Sequence, residues 1–169
     1  MEQFLIVYQQ SLRQLRVADH IFNVTHPLLQ DPKLLLGVID NLYISLQSAM
    51  KALLLYDCAR KNIPAFLDTA DARVRMFQVK SMPLHHLDMT HLNHFYEIRE
   101  LIRRHRTSSV EFRRKDQFVI CTPNYELTIV TADKIRRYLI KTKQFVELIG
   151  TVIQHERISR RSAGRTEAC

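Results

Sequence analysis

The chain has 169 residues, of which 46% are hydrophobic, with three glycines and five prolines. That is the length of one domain with little flexible linker, and scarce Gly and Pro favour helices. Cys58, Cys121 and Cys169 are odd in number and widely spaced, which argues against a disulfide framework and a thiolate zinc site. No stretch approaches the roughly 20 apolar residues of a membrane span, and the opening "MEQFLIVYQQSLRQ" lacks the apolar run of a signal peptide. A soluble, cytoplasmic protein is expected. The formal net charge of +8 is one-sided: residues 1–98 carry nine basic and nine acidic residues, residues 99–169 sixteen and eight. Such asymmetry suits a polyanion such as RNA.

The first helix is expected over about residues 2–24, on a stripe of Phe4, Tyr8, Leu12, Leu15, Ala18 and Phe22. Pro27 should end it. Asp31 and Pro32 then form a start signal, a cap followed by a proline at the first helical position. From there Leu35, Ile39, Leu42, Leu46, Met50 and Leu53 continue to about Lys61 with apolar neighbours on both sides, the pattern of the most buried helix. A short helix capped at Asp68 should point Val74 and Phe77 inward. After Met82-Pro83, a third long helix with Leu92, Phe95, Ile98 and Ile102 on one face runs to about Arg106.

"RTSSVEFRRKD" shows no helical period, and "QFVICTPNYELTIVT" alternates apolar and polar residues around Pro-Asn, which reads as a small β-hairpin or an extended loop. The last helix should start near Thr131 or Asp133, bury Ile135, Leu139, Phe145, Ile149 and Val152, and end near Ile158. Residues 159–169 read as a disordered basic tail. The fold class is therefore all-α: an antiparallel up-down four-helix bundle over residues 1–158, with an extra short helix and the hairpin inserted before the last helix.

Three constellations could carry chemistry. Asp88, His91, His94 and Glu97 recur every three residues and would form one slowly drifting stripe on a helix, but a single helix supplies no converging ligands, so no metal is assigned. No cofactor is assigned either, because three scattered glycines cannot make a phosphate loop. Arg99 and His105 have a spacing used by metal-independent ribonucleases, in which His moves the 2′-hydroxyl proton and Arg steadies phosphate charge. That spacing arises by chance roughly twice in a chain of this composition, and six helical steps leave the two residues about 120° apart. Third, Arg103, Arg104, Arg106, Arg113 and Arg114, with Arg136 and Arg137 on the last helix, offer guanidinium forks to phosphate, and Lys115 adds an ammonium. With few aromatics interleaved, contacts to an RNA backbone are expected rather than base reading.

The stretch Leu46-Gln47-Ser48-Ala49-Met50-Lys51-Ala52-Leu53-Leu54 resembles the second helix of HEPN domains, and "SLRQLRVADHIF" is similar to their first. "SSVEFRRKDQFVIC" also resembles a segment of a group of archaeal helical proteins of unassigned function. The HEPN resemblance implies a four- or five-helix bundle that forms a homodimer and, in active members, a ribonuclease with paired Arg and His sites. Arg99 would then stabilise the phosphate and His105 would transfer the proton. Glu100 and the inserted hairpin depart from that pattern. The alternative is a non-catalytic module that docks on RNA, a ribosome or an acidic protein partner.

Overall fold

The structure is a computed structural model that describes residues 2–163, with side chains over residues 2–154. It is mostly helical. In chain order the elements are α1 (Gln3–His20), a π-helical turn (Ile21–Thr25), α2 (His26–Leu29), α3 (Leu34–Ala59), α4 (Ala70–Met76), a second π-helical turn (Phe77–Ser81), α5 (Met82–Leu84), α6 (Met89–Thr107), β1 (Val110–Arg114), β2 (Gln117–Cys121), β3 (Leu127–Val130) and α7 (Ala132–Ala163).

Helix α3 is the centre of the core and packs against α1, α6 and α7. Leu35, Val38, Leu42, Leu46, Leu53 and Leu54 lose all solvent contact, which at about 1.5–3 kcal/mol per large apolar side chain makes this helix the main source of stability. Small polar residues let α1 come close. The Ser11 hydroxyl donates to the Ser45 carbonyl at 2.8 Å and Ser45 returns a bond of 2.9 Å to the Ser11 carbonyl. These reciprocal bonds satisfy buried hydroxyls that would otherwise be costly. On the other flank the Tyr8 hydroxyl donates to the Val146 carbonyl at 3.1 Å, tying α1 to α7.

Pro27 does not end the first helical run, contrary to expectation. The chain stays helical through it to Leu29, and Gln30 then turns left-handed with φ 49°. The π-turn explains the difference. A proline inside an α-helix lacks its N–H and drives its ring into the carbonyl four residues back; here the preceding turn is widened, with the His26 N–H reaching Ile21. The same device recurs before Pro83, where the Met82 N–H reaches Phe77. Sequence periodicity sees the proline but not the wider turn that accommodates it.

Other starts shift by a few residues. The Asp31 carboxylate accepts the Lys33 N–H at 3.0 Å and so caps the turn that leads into α3. The cap of α4 is Thr69, whose hydroxyl accepts the Ala72 N–H at 3.3 Å, and not Asp68, which instead pairs with Lys51 at 2.6 Å. Val74 and Phe77 point inward as expected. Helix α6 starts at Met89, later than Met82-Pro83 suggested, because His86 takes a left-handed φ of 53° and Asp88 caps the Thr90 N–H at 2.7 Å. Its Leu92, Phe95, Ile98 and Ile102 are all buried.

The largest addition is β1. The expected hairpin exists as β2 and β3, but β1 pairs with β2 as well and makes a three-stranded antiparallel sheet in the order β1-β2-β3. Phe118, Ile120 and Val130 face the core. The register puts Val110, Cys121 and Leu127 in one row of the opposite face and Phe112, Val119 and Ile129 in the next. Helix α7 carries Ile135, Leu139, Phe145 and Ile149 inward, with Val152 partly buried, and it continues to Ala163 rather than stopping near Ile158. Residues 159–163 of the expected tail are therefore helical, and residues 164–169 lie outside the described residues. No helix among the described residues is long and apolar enough to cross a membrane.

Candidate nucleic-acid interface

The last turn of α6 lies under the inner face of the sheet, and its side chains meet the row Glu111, Ile120 and Thr128. His105 Nδ1 sits 2.5 Å from Glu111 Oε1, and the Ser108 hydroxyl donates to the same oxygen at 2.6 Å. A carboxylate only accepts, so neutral His105 carries its proton on Nδ1. Nε2 has no hydrogen-bond partner among the described residues, and no buried unpaired atom is found there. The result is an imidazole fixed in one tautomer with its basic nitrogen available, the arrangement a proton acceptor needs.

Arg99 is not part of this arrangement. Its guanidinium lies over the rings of Tyr96 and Phe95, at 5.0 and 5.8 Å, and reaches Asp71 of α4 at 3.5 Å. Within one chain Arg99 therefore faces α4 while His105 faces β1, as the helical offset of about 120° requires.

The arginines divide into two groups. Arg103 and Arg104 both grip Glu100, at 2.6 and 2.9 Å, and hydrogen bonds from Arg103 and Arg104 hold the Glu100 carboxyl down to about 2. Arg104 also donates to Thr128 at 3.0 Å, linking α6 to β3. These two cations are already engaged by the protein. Arg106, Arg114, Lys115 and Arg137 are exposed and form no salt bridge among the described residues.

Arg113, Lys115 and Arg136 line a groove of about 700 Å³ between the first π-helical turn and α2, the β1–β2 turn and the first turn of α7. Lys115 holds a left-handed φ of 57°, a conformation that favours Gly or Asn and costs a bulkier residue of order 1 kcal/mol. Arg136 lies over the Phe22 ring at 5.6 Å, and Phe22 stacks almost parallel with His26 at 6.2 Å. Two of these cations have exposed acidic partners, which are weak restraints at the surface: Asp31 is 3.8 Å from Arg113, and Asp133 is 3.0 Å from Arg136. Sequence reasoning named the cations and gave Phe22 only as part of the first helix's apolar stripe, and it missed Glu111 and His26. The Val110-Glu111-Phe112-Arg113 alternation is the only signal that could have placed Glu111 on a strand.

The acidic and histidine stripe on α6 serves the fold. Asp88 caps the helix, and His94 is buried with Nε2 2.9 Å from the Thr142 hydroxyl. Burial first, and then the Lys141 charge, push His94 down to about 4. Among the described residues no three His, Cys, Asp or Glu side chains gather to hold a metal.

No protein-family model, curated protein or solved structure matches this chain.

Proposed function

We propose that this protein is an RNA-binding helical protein of the cytoplasm, built on a HEPN-like four-helix core and acting as a homodimer. The observation that carries RNA binding is the convergence of Arg113, Lys115 and Arg136 from β1, its turn and α7 onto one groove. Arg113 and Lys115, neighbours at the β1–β2 turn, are joined there by Arg136 from α7, so two segments of the basic part of the chain present cations to one groove. Their charge adds to the exposed Arg106, Arg114 and Arg137, all drawn from the basic C-terminal part of the chain. Phosphate neutralisation and counterion release supply the affinity.

The His105–Glu111 pair favours a second reading, a metal-independent endoribonuclease. His105 Nε2 is the proton acceptor for a ribose 2′-hydroxyl, and Glu111 fixes the tautomer that makes this possible. Arg99 would reach the scissile phosphate only from a second copy of the chain, since in its own chain it faces α4. Catalysis therefore requires the dimer, whereas RNA docking does not.

One experiment tests both. Labelled single-stranded and structured RNAs are incubated in EDTA with the purified protein, His105→Ala, and the triple variant Arg113→Ala, Lys115→Asn, Arg136→Ala. RNA docking predicts retention that weakens at least tenfold in the triple variant, with the log–log salt slope shallower by about 2. Equal retention in the triple variant, or retention indifferent to salt, overturns it. Cleavage that persists in EDTA and disappears in His105→Ala supports the nuclease, and retention without cleavage leaves only the docking function.

A further inference from the structure

We infer that the outer face of the three-stranded sheet is the surface at which two copies of this chain meet, sheet against sheet, across a two-fold axis. This rests on the homodimer of the proposed function and names the surface that makes it. The register sets Val110, Cys121 and Leu127 in one row of that face and Phe112, Val119 and Ile129 in the next. Val110, Phe112, Leu127 and Ile129 stand 55, 44, 62 and 44% exposed. Two charged residues of β1 point the other way: Glu111 meets His105 and Ser108 under the sheet, and Arg113 shares the row of Phe118 and Val130, which belong to the core. A strand that turns its polar residues inward and its apolar residues outward gains apolar burial only from something placed on top of it.

Area and charge select a second copy. Those four exposures leave roughly 400 Å² of apolar surface, a patch of the size that is often functional on a monomer. Two such patches pressed together bury roughly 800 Å². The smallest stable interfaces bury about 1,200 Å² in all, and about 65% of a homodimer interface is apolar, which comes to nearly the same amount. The dimer is therefore of minimal size and should dissociate on dilution. The net charge of +8 works against contact between copies, most of all in the basic C-terminal part of the chain, from which all three strands come. The six residues of the face carry no charge, so a copy meets them without like-charge repulsion. A two-fold contact also requires a patch complementary to itself; an apolar patch is so, and a patch of cations is not. RNA gains little here, since its phosphates need cations and Phe112 is the one aromatic ring among the six.

The arrangement also fixes what dimerisation does. Helix α6 packs beneath the inner face, so the two copies of His105 lie on opposite sides of the stacked sheets, which sit about 10 Å apart. A dimer formed here offers RNA two basic surfaces and does not carry Arg99 of one copy to His105 of the other. It favours docking over a two-copy active site.

The test is sedimentation velocity on the full chain over a wide range of protein concentration, with alkylation of Cys121 by iodoacetamide read peptide by peptide on the same samples. The natural chain should pass from monomer to dimer, and Cys121, in the row between Val110 and Leu127, should react several-fold more slowly as it does so. Cys58, on α3, should react at one rate throughout. Phe112→Arg and Leu127→Arg each place a cation at the contact twice over and should weaken self-association at least tenfold, with the unfolding midpoint of the monomer unchanged. Should either variant fail to fold, the Cys121 rates of the natural chain carry the test. Leu67→Arg, more exposed still but between α3 and α4, should leave the dimer as it was. A dimer that survives both strand substitutions, with Cys121 reacting at one rate, overturns the sheet face and leaves the homodimer standing. A chain that stays monomeric at every concentration overturns both, and RNA docking is judged separately by retention. Cys121 protected by added RNA and not by protein concentration gives the face to RNA and overturns the second copy.

Discussion

Two histidine–carboxylate pairs among the described residues have nearly the same separation and opposite surroundings. His85 Nε2 lies 2.7 Å from Asp57 Oδ1 with the side chains 5% and 0% exposed, and His105 Nδ1 lies 2.5 Å from Glu111 Oε1 with 33% and 23% exposed. At Asp57 the second oxygen is taken as well, by the Ser81 hydroxyl at 2.6 Å. The carboxylate is thereby committed to pinning the second π-turn and α5 against α3. At His105 the ring nitrogen away from Glu111 has no partner among the described residues, so the pair keeps a group that can act on a ligand. The chemistry of the two pairs is alike; burial decides that one is a clamp and the other is available for function.

The largest effect should come from breaking the clamp. Removing one partner of a buried pair leaves the other uncompensated, so Asp57→Ala is expected to cost about 3–5 kcal/mol in denaturant unfolding. A loss below about 1 kcal/mol would show that the pair holds nothing together and would erase the contrast.

The pH dependence of stability sharpens the same contrast through a third histidine. His94 is nearly inaccessible and its pKa in the folded protein is lowered to about 4 from an ordinary 6.5. The unfolded chain therefore binds a proton between pH 6.5 and 4 that the folded chain refuses, and stability falls as pH drops through this window. Full traversal is worth on the order of 3 kcal/mol. In His94→Leu that slope should be largely gone, whereas His105→Ala should retain it; a slope unchanged in His94→Leu would count against the buried neutral imidazole.

Packing gives a smaller and independent measure of how little the interior yields. A methyl group on Gly150 would fall 2.0 Å from the Tyr8 hydroxyl oxygen, the same oxygen that bonds Val146. Gly150→Ala should cost about 1–3 kcal/mol, and pairing it with Tyr8→Phe should recover part of that loss if the hydroxyl is what clashes.

The interior was also the part most legible from sequence. Stripes of Leu, Ile and Phe at helical spacing located α1, α3, α6 and α7, because those residues have one physical use there, burial on a single face. Two kinds of feature escaped. Pro27 read as a break and Met82-Pro83 as the start of a new helix because periodicity carries no trace of a π-turn, which is set by hydrogen bonds and not by side-chain type. Strand β1 escaped because its apolar residues Val110 and Phe112 face away from the core while Glu111 and Arg113 share the inner face with Phe118 and Ile120. That reverses the usual hydrophobic-in pattern. With β1 unseen, Glu111 had no position, and the partner of His105 could not be found.

Glu111→Gln should have the smallest effect on stability and the most informative one on function. The pair is partly exposed, so replacing the carboxylate should change unfolding free energy by less than about 1 kcal/mol. Glutamine keeps the shape but can either donate or accept, and the neutral ring of His105 is then no longer restricted to carrying its proton on Nδ1. Nitrogen-detected NMR of the ring should show one tautomer in the natural chain and a mixture in the variant. If the protein cleaves RNA, cleavage should fall roughly tenfold or more without a matching fall in RNA retention, because proton transfer alone is impaired. A large loss of stability would instead place Glu111 with Asp57 among the clamps. An unchanged tautomer with unchanged cleavage would remove Glu111 from any functional role.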